Sequence, residues 1–203
     1  FVLWFSRDSE RVKYRQLFNT KVVGGSGGSL YTSVELANGE RRPLYAEEKT
    51  DISRIPEGAR IFGTGDLTSP RVRGTRSGHF PVKALGSEFL PRKGEWKTHR
   101  EGMERLVTAR RVARSGKSIA YVRYLEDFLV FPLGNLWSDT LGQNQFGGDK
   151  VYVVQTALRI VQRCMQMCTD PGDLVLDPTC GSGTTAHVAE QWGRRWMTID
   201  TSR

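Results

Sequence analysis

The sequence predicts an α/β fold that is interrupted by a basic insert of mixed α+β structure. Near the C-terminus, Gly172–Asp200 has the pattern strand, glycine loop, helix, strand. At the N-terminus, Phe1–Phe5 is a short apolar run typical of a buried strand. The stretch between them is rich in glycine, proline and basic residues. We therefore predict three regions: residues 1–29 and 137–203 as pieces of an α/β core, and residues 30–136 as the insert.

The N-terminal piece is predicted to begin with a strand over Phe1–Phe5, followed by a helix over Glu10–Phe18 with Ser9 as its N-cap. The glycine-rich run Gly24–Ser29 is interpreted as a flexible joint to the insert. The chain opens on phenylalanine inside an apolar run and stops just after a strand. We therefore expect it to be a fragment of a longer protein.

The positive charge of the chain is concentrated in the insert. The formal net charge is +8, and Arg71–Lys117 holds 13 Lys and Arg against 4 Asp and Glu. Clustered basic charge is typical of nucleic-acid binding, and a solvated basic face is the alternative. The candidate DNA-binding residues are Arg71, Arg73, Lys97, Arg100, Arg110 and Arg111.

One amphipathic helix is predicted within the insert. Thr98 and Glu101 have the spacing of a capping box, and Met103 lies on the apolar face that follows. Ser115 and Gly116 are expected to end this helix. A strand is predicted over Ser118–Leu125.

A second long helix is predicted over Val153–Cys168. Leu158, Val161 and Met165 recur at helical spacing, which predicts packing against a sheet. The three cysteines of the chain imply neither a disulfide framework nor a metal site, because further ligands at matching spacing are missing. This usage favours a reducing, cytoplasmic compartment. No apolar run approaches the length of a membrane span.

The C-terminal segment carries the pattern with chemical content. A strand over Leu174–Leu176 stops at Asp177 and Pro178, and a glycine loop leads into a helix over Thr184–Trp192. A second strand then ends at Asp200, which lies 23 residues after Asp177. An acidic residue about 20 positions beyond such a loop suits the hydroxyl groups of a ribose. The spacing therefore predicts an adenosine-containing cofactor.

The carboxylate just before the glycines narrows the choice of cofactor. Asp177 would repel a pyrophosphate but tolerates a cationic or zwitterionic group. S-adenosylmethionine (SAM) carries a sulfonium and an amino-acid head and has no phosphate. The local chemistry thus favours SAM over NAD. A tight turn that binds no ligand is the other alternative.

The nonapeptide Asp177–Thr185, DPTCGSGTT, resembles the SAM-binding motif of amino-group DNA methyltransferases. More narrowly, residues 151–203 resemble the C-terminal part of site-specific DNA methyltransferases of the type III modification-subunit kind, and the insert resembles their target-recognition region. The resemblance implies a partial Rossmann-like SAM-dependent methyltransferase fold. It also implies these cofactor-binding residues: Asp177, Pro178, Thr179, Cys180, Gly181, Ser182, Gly183, Thr184, Asp200 and Thr156.

The resemblance further implies methyl transfer from SAM to an exocyclic amine of double-stranded DNA, with adenine N6 favoured over cytosine N4. The family's catalytic D/N/S-P-P-Y/F/W tetrapeptide is absent from this sequence, so no catalytic residue is assigned. We therefore expect the full-length parent to be the site-specific, adenine-specific DNA methyltransferase and this fragment alone to be inactive. In the β-class order of motifs the tetrapeptide would precede Phe1. A restriction subunit is a candidate partner. The alternative functions are a non-catalytic DNA-binding module and an NAD(P)-binding domain.

Overall fold

The computed structural model describes residues 1–71, 77–92, 94–140 and 156–201. The α-helices are α1 (Ala46–Thr50), α2 (Arg100–Thr108), α3 (Leu158–Cys168) and α4 (Thr184–Gln191). Short 3-10 helices span Ser9–Arg11, Ile52–Arg54, Leu125–Asp127 and Ser138–Thr140. The strands are β1 (Phe18–Thr20), β2 (Val22–Val23), β3 (Gly27–Gly28), β4 (Ser33–Glu35), β5 (Arg41–Pro43), β6 (Arg60–Asp66), β7 (Thr68–Ser69), β8 (Val82–Ala84), β9 (Ser87–Phe89), β10 (Glu95–Trp96), β11 (Val112–Ser115), β12 (Ser118–Tyr124), β13 (Val130–Pro132), β14 (Leu174–Asp177) and β15 (Arg195–Thr198).

The chain divides into two compact units. The outer unit combines residues 1–19 with 132–203, and the central unit is residues 20–131. These divisions lie at 19/20 and 131/132, whereas the sequence analysis places the insert at 30–136. The functional meaning given to the three predicted regions stays a prediction.

The outer unit contains the predicted strand, loop, helix and strand, and the structure confirms this order. In the described residues β14 and β15 pair in parallel, with Leu174 opposite Arg195 and Asp177 opposite Thr198. Helices α3 and α4 pack together against this sheet through buried Met165, Val188 and Ala189. Leu158, Val161 and Val175 pack against the same cluster. The predicted packing of the 153–168 helix is thus confirmed for Leu158–Cys168, and residues 153–155 lie outside the described residues.

The first part of the outer unit differs from its prediction. Phe1–Phe5 is exposed and forms no strand, and Ser9–Arg11 is a single 3-10 turn capped by Asp8 instead of the start of a helix. In the described residues Phe1–Phe5 has no neighbouring strand to supply hydrogen bonds. Ion pairs connect the segment that follows to the loop before β14: Lys13 Nζ lies 2.9 Å from Asp170 and 2.8 Å from Asp173.

The central unit is organised around an antiparallel sheet. Within the described residues its strand order is β11-β12-β6-β4-β5. One cluster of buried side chains, the larger core, includes Trp96, Met103 and Ile119. A second cluster, the smaller core, is formed by Phe62, Val122 and Tyr124.

The helix predicted from Thr98 to Gly116 is shorter in the structure. Helix α2 ends at Thr108, its N-cap is His99, and no side chain caps it. The chain then turns at Arg110 (φ 55°) into the hairpin of β11 and β12, with Gly116 (φ 57°) in the turn. Val112 and Ile119 are each 3% exposed in the larger core. Cross-strand burial of these β-branched residues therefore outweighs the helical pattern of the surrounding arginines.

The glycine-rich run predicted as a flexible joint is packed structure. Gly27 and Gly28 form β3, which pairs with Val22 and Val23. A Cβ atom on Gly27 would lie 2.2 Å from the ring of Phe131. These glycines therefore serve close packing within the central unit, and the prediction of a joint was wrong.

Candidate cofactor site

The glycine loop of the outer unit turns the chain from the end of β14 into α4. Gly181 (φ 51°) and Gly183 (φ 76°) both have left-handed backbone, which glycine adopts without steric cost. Gly183 is the N-cap of α4, and its N–H donates to the Cys180 carbonyl at 2.9 Å. A Cβ atom on Gly183 would meet nothing within 4 Å, so the loop leaves open space beside the helix N-terminus.

Asp200 fastens this loop to the end of β15. The Gly181 N–H donates to Asp200 Oδ2 at 2.7 Å. The Cys180 N–H donates to the Ile199 carbonyl at 3.0 Å, and the Ile199 N–H donates to the Asp177 carbonyl at 2.9 Å. The two acids that the sequence analysis selected, 23 residues apart, therefore meet at the carboxyl edge of the parallel strands, where α/β sheets bind ligands.

A cleft of about 420 Å³ opens at this edge. This volume is in the range of small-molecule sites. Its lining residues are Thr156, Val161, Asp177, Pro178, Thr179, Cys180, Gly181, Ser182, Thr184, Thr185, Asp200 and Thr201. Nine of the ten residues predicted to bind the cofactor are in this set, and Gly183 lies in the loop without lining the cleft.

Three lining residues were missed by the sequence analysis. Thr185 was inside the quoted motif, and Thr201 directly follows Asp200, so sequence proximity could have found both. Val161 was assigned to the core, and it both packs on the core cluster and borders the cleft. Only the three-dimensional position of α3 shows this second contact.

The polar groups of the cleft have a negative and hydroxyl-rich character. Asp177 Oδ1 accepts the Thr179 N–H at 3.0 Å, and the hydroxyls of Ser182 and Thr184 lie 2.9 Å apart. Among the described lining residues there are two carboxylates and no lysine, arginine or histidine. A bound phosphate would therefore face negative charge without a cation to offset it, whereas a ligand that carries positive charge is favoured.

Five of the six predicted DNA-binding residues are described by the structure, all in the central unit, and they differ in exposure. Arg71, Lys97 and Arg100 are exposed, Arg100 being the first residue of α2. Arg110 is exposed in the turn after that helix. Arg73 lies outside the described residues.

Arg111 has a different environment from the exposed residues of that set. Its guanidinium donates to both oxygens of Asp127, at 2.5 and 2.8 Å, and lies 4.4 Å from the ring centre of Tyr124. The hydrogen bonds from Arg111 hold the pKa of the Asp127 carboxyl below its usual value. The geometry gives Arg111 a part in holding the smaller core together.

The cysteines outside the cleft are ordinary thiols in their surroundings. Burial raises the pKa of both Cys164 and Cys168, so their thiolate forms are disfavoured.

The described residues hold no group of three or more His, Cys, Asp or Glu side chains that could bind a metal ion. None of the helices in the described part of the chain is both long and apolar enough to cross a membrane.

Comparison with known proteins finds similarity to DNA-modifying enzymes in residues 108–203. A family model described as DNA methylase matches residues 108–203. Type II methyltransferase M.BamHI of Bacillus amyloliquefaciens is 35% identical over 65 residues, which are 32% of this chain and 15% of that protein. Type II methyltransferase M.EcaI of Enterobacter cloacae is 39% identical over 51 residues, 25% of this chain and 11% of that protein.

A third relative, Type II methyltransferase M2.DpnII of Streptococcus pneumoniae, is 43% identical over 44 residues, 22% of this chain and 16% of that protein. The matched segments thus span between 11% and 16% of the lengths of these three relatives. The family match contains the whole glycine loop and Asp200. Residues 108–203 are therefore similar to DNA methylases.

Proposed function

We propose that this chain supplies the cofactor-binding and DNA-recognition parts of a site-specific DNA methyltransferase. The reaction is methyl transfer from SAM to an exocyclic amine of double-stranded DNA. The observation that carries the proposal is the cleft, in which the motif Asp177–Thr184 and Asp200 converge at the edge of parallel strands. The similarity of residues 108–203 to DNA methylases supports it.

The chemistry of the lining fits SAM better than a dinucleotide. The carboxylates of Asp177 and Asp200 tolerate the positive sulfonium and ammonium groups and would oppose a pyrophosphate. We assign Asp200 to the ribose hydroxyls, because a charged acceptor forms strong hydrogen bonds with them. We assign the loop over Asp177–Thr184, together with Thr156, to the methionine end. With these roles, the outer unit is part of a Rossmann-like cofactor-binding domain.

SAM, when bound, supplies an electrophilic methyl group on a positively charged sulfur. In the transfer, the sulfur–methyl bond breaks as a nitrogen–methyl bond forms, and the amine loses a proton. The contribution of the chain's own residues is to hold and orient the donor, which lowers the entropic cost of the encounter. The sequence contains no D/N/S-P-P-aromatic tetrapeptide, so we assign no residue to the orientation of the target amine.

We favour adenine N6 over cytosine N4 as the acceptor, by family resemblance. Because this chain lacks the catalytic tetrapeptide, the test uses a longer protein that contains both this chain and that motif: it is incubated with DNA and labelled SAM, and the nucleosides are separated. Formation of N6-methyldeoxyadenosine would support adenine as the acceptor. Formation of N4-methyldeoxycytidine would contradict this choice and make cytosine the acceptor. A restriction subunit as partner and a cytoplasmic location remain predictions from the sequence.

Binding of SAM to the chain tests the cofactor assignment. Asp200→Asn should weaken SAM binding about 10- to 100-fold in titration calorimetry, because hydrogen bonds to a charged acceptor contribute about 1.5–3 kcal/mol. Glu57→Gln is a matched control, since Glu57 is an exposed carboxylate of the central unit. Equal affinity of the folded Asp200→Asn variant, or tighter binding of NADH than of SAM, would contradict the assignment.

A further inference from the structure

The central unit contains two sets of arginines that stack on aromatic rings. In the first set, the paired arginines, each guanidinium also has a carboxylate partner. Its ion pairs are Arg41–Glu35, Arg42–Glu48, Arg60–Glu126 and Arg111–Asp127. Arg42 lies over Tyr45, and the other three stack on rings of the smaller core, Arg41 over Phe62 and both Arg60 and Arg111 over Tyr124.

The second set, the open arginines, stacks around the larger core. The distances from guanidinium carbon to ring centre are 5.0 Å for Arg100 and Phe80, 5.7 Å for Arg114 and Phe89, and 5.9 Å for Arg123 and Tyr121. Phe80 and Phe89 are buried members of that core, and Tyr121 packs against it. All three arginines are exposed, and within the described residues none has a carboxylate within 4.0 Å.

The charges of the two sets differ in what they offer to a ligand. A guanidinium that is paired with a carboxylate contributes little net positive potential. A guanidinium that only stacks on a ring keeps its charge and hydrogen-bond donors available, while the ring limits its rotamers. Arginine's planar fork matches the oxygens of a phosphate. The open arginines are therefore arranged to bind an anion.

Gly65 makes room for one of the open arginines. It lies opposite Tyr121 in the register of β6 and β12. A Cβ atom at Gly65 would lie 2.7 Å from Nη2 of Arg123. The guanidinium of Arg123 therefore rests over a position where any side chain would displace it. A second open arginine is held by a hydrogen bond, since Arg114 Nη2 donates to Ser87 Oγ at 3.1 Å.

We propose that Arg100, Arg114 and Arg123 are phosphate contacts through which the central unit holds double-stranded DNA, and that Arg111 serves the fold instead. This inference rests on the proposed function for the identity of the polyanion. Arg114 and Arg123 were not selected by the sequence analysis. Arg123 also lies beyond the basic stretch Arg71–Lys117.

The test is the salt dependence of DNA binding by the full chain, measured by fluorescence anisotropy with a labelled duplex. Each phosphate contact contributes about 0.9 to the slope of log K against log salt concentration. Arg100→Ala, Arg114→Ala and Arg123→Ala should each lower the slope by about that amount. The matched control Arg54→Ala removes an exposed arginine that is paired with Glu47, and it should leave the slope unchanged.

Gly65→Ala tests the geometry without removing a charge. The added methyl group requires the Arg123 guanidinium to shift but leaves its charge in place, so Gly65→Ala should weaken DNA binding less than Arg123→Ala does. Circular dichroism checks the fold of every variant. Slopes that stay unchanged for all three open arginines, or a larger loss with Arg111→Ala, would overturn the inference. SAM binding, measured on the same samples, separates the two proposals. If the chain binds SAM but the salt slopes of the variants are unaltered, only the phosphate contacts are rejected. If the unsubstituted chain binds neither SAM nor DNA, the proposed function is rejected.

Discussion

The sheets of the two units are covered to different extents. In the outer unit, Val175 faces the helices, while Leu174 and Leu176 on the other face of β14 are 52% and 58% exposed. In the central unit, Val122 and Trp96 are 0% exposed in two separate cores. Parallel sheets usually bury both faces, whereas antiparallel sheets can leave one face in water. In the outer unit, the candidate cofactor site therefore lies at the ends of strands that have one face exposed.

The residues that line the cofactor cleft and most of the large buried side chains lie in different units. The cleft is built from backbone turns and local hydrogen bonds at the end of β14, and it contains residues of the outer unit alone. The buried large side chains lie mainly in the central unit. We therefore expect core substitutions in the central unit to cost stability without altering the cofactor site.

The largest effect is expected for Trp96→Ala. This side chain is 0% exposed, and its Nε1 donates to the Phe80 carbonyl at 2.8 Å. Removal of a buried tryptophan should lower the free energy of unfolding by about 3–5 kcal/mol, as measured by urea denaturation. Trp4→Ala, at a half-exposed tryptophan, is the control and should cost far less.

The SAM affinity of the Trp96→Ala variant tests whether the cofactor site is independent of the core of the central unit. Measured below the unfolding transition, it should stay at the level of the unsubstituted chain. A parallel loss of SAM affinity would show that the cofactor site depends on the core of the central unit, and the separation of stability from chemistry would then be wrong.

A smaller loss of stability is expected at low pH, and one carboxylate in each unit contributes to it. Hydrogen bonds from Arg163 hold the pKa of the Asp139 carboxyl at about 2 in the outer unit. Hydrogen bonds from Arg42 do the same for Glu48 in the central unit, where the pKa is also about 2. Because both pKa values are lowered by folding, the stabilisation is present above the ordinary carboxyl pKa and is lost as the pH falls towards 2.

Removing either carboxylate should flatten this acid dependence. Asp139→Asn leaves the Arg163 guanidinium, which is 8% exposed, without its counter-charge, so the variant should also be less stable at pH 7. Glu48→Gln is the matched variant of the central unit. The measurement is the urea midpoint between pH 2.5 and 7, and an unchanged pH dependence in both variants would contradict these roles.

The sequence predicted well what is local. The strand, loop, helix and strand of Gly172–Asp200 form from contiguous residues, and the spacing of the two acids suffices to bring them to one edge. The helix predicted through Gly116 was too long because a periodic pattern does not reveal that Val112 pairs with Tyr121 across a hairpin. The partner of Arg111 was hidden for the same reason, since Asp127 reaches it only through the fold.

The open arginines show a further limit. Charge counting selected a basic stretch but could not distinguish a guanidinium held by a carboxylate from one that stacks on a ring. Arg123 also lay outside that stretch, on β12, and its guanidinium lies beside Gly65 of the paired strand β6. Only the register of β6 and β12 reveals the space in which its side chain lies.

Titration of the chain with SAM, followed through the backbone amide signals by NMR, tests directly whether the cleft binds this cofactor. We predict that the signals of Gly181, Ser182 and Thr201 shift, because these residues line the cleft, while those of Arg54 and Glu57 in the central unit, which do not line it, stay in place. NAD⁺ at the same concentration should leave all of these signals in place. Shifts caused by NAD⁺ instead of SAM, or SAM-induced shifts confined to residues outside the cleft, would contradict the assignment of a SAM site.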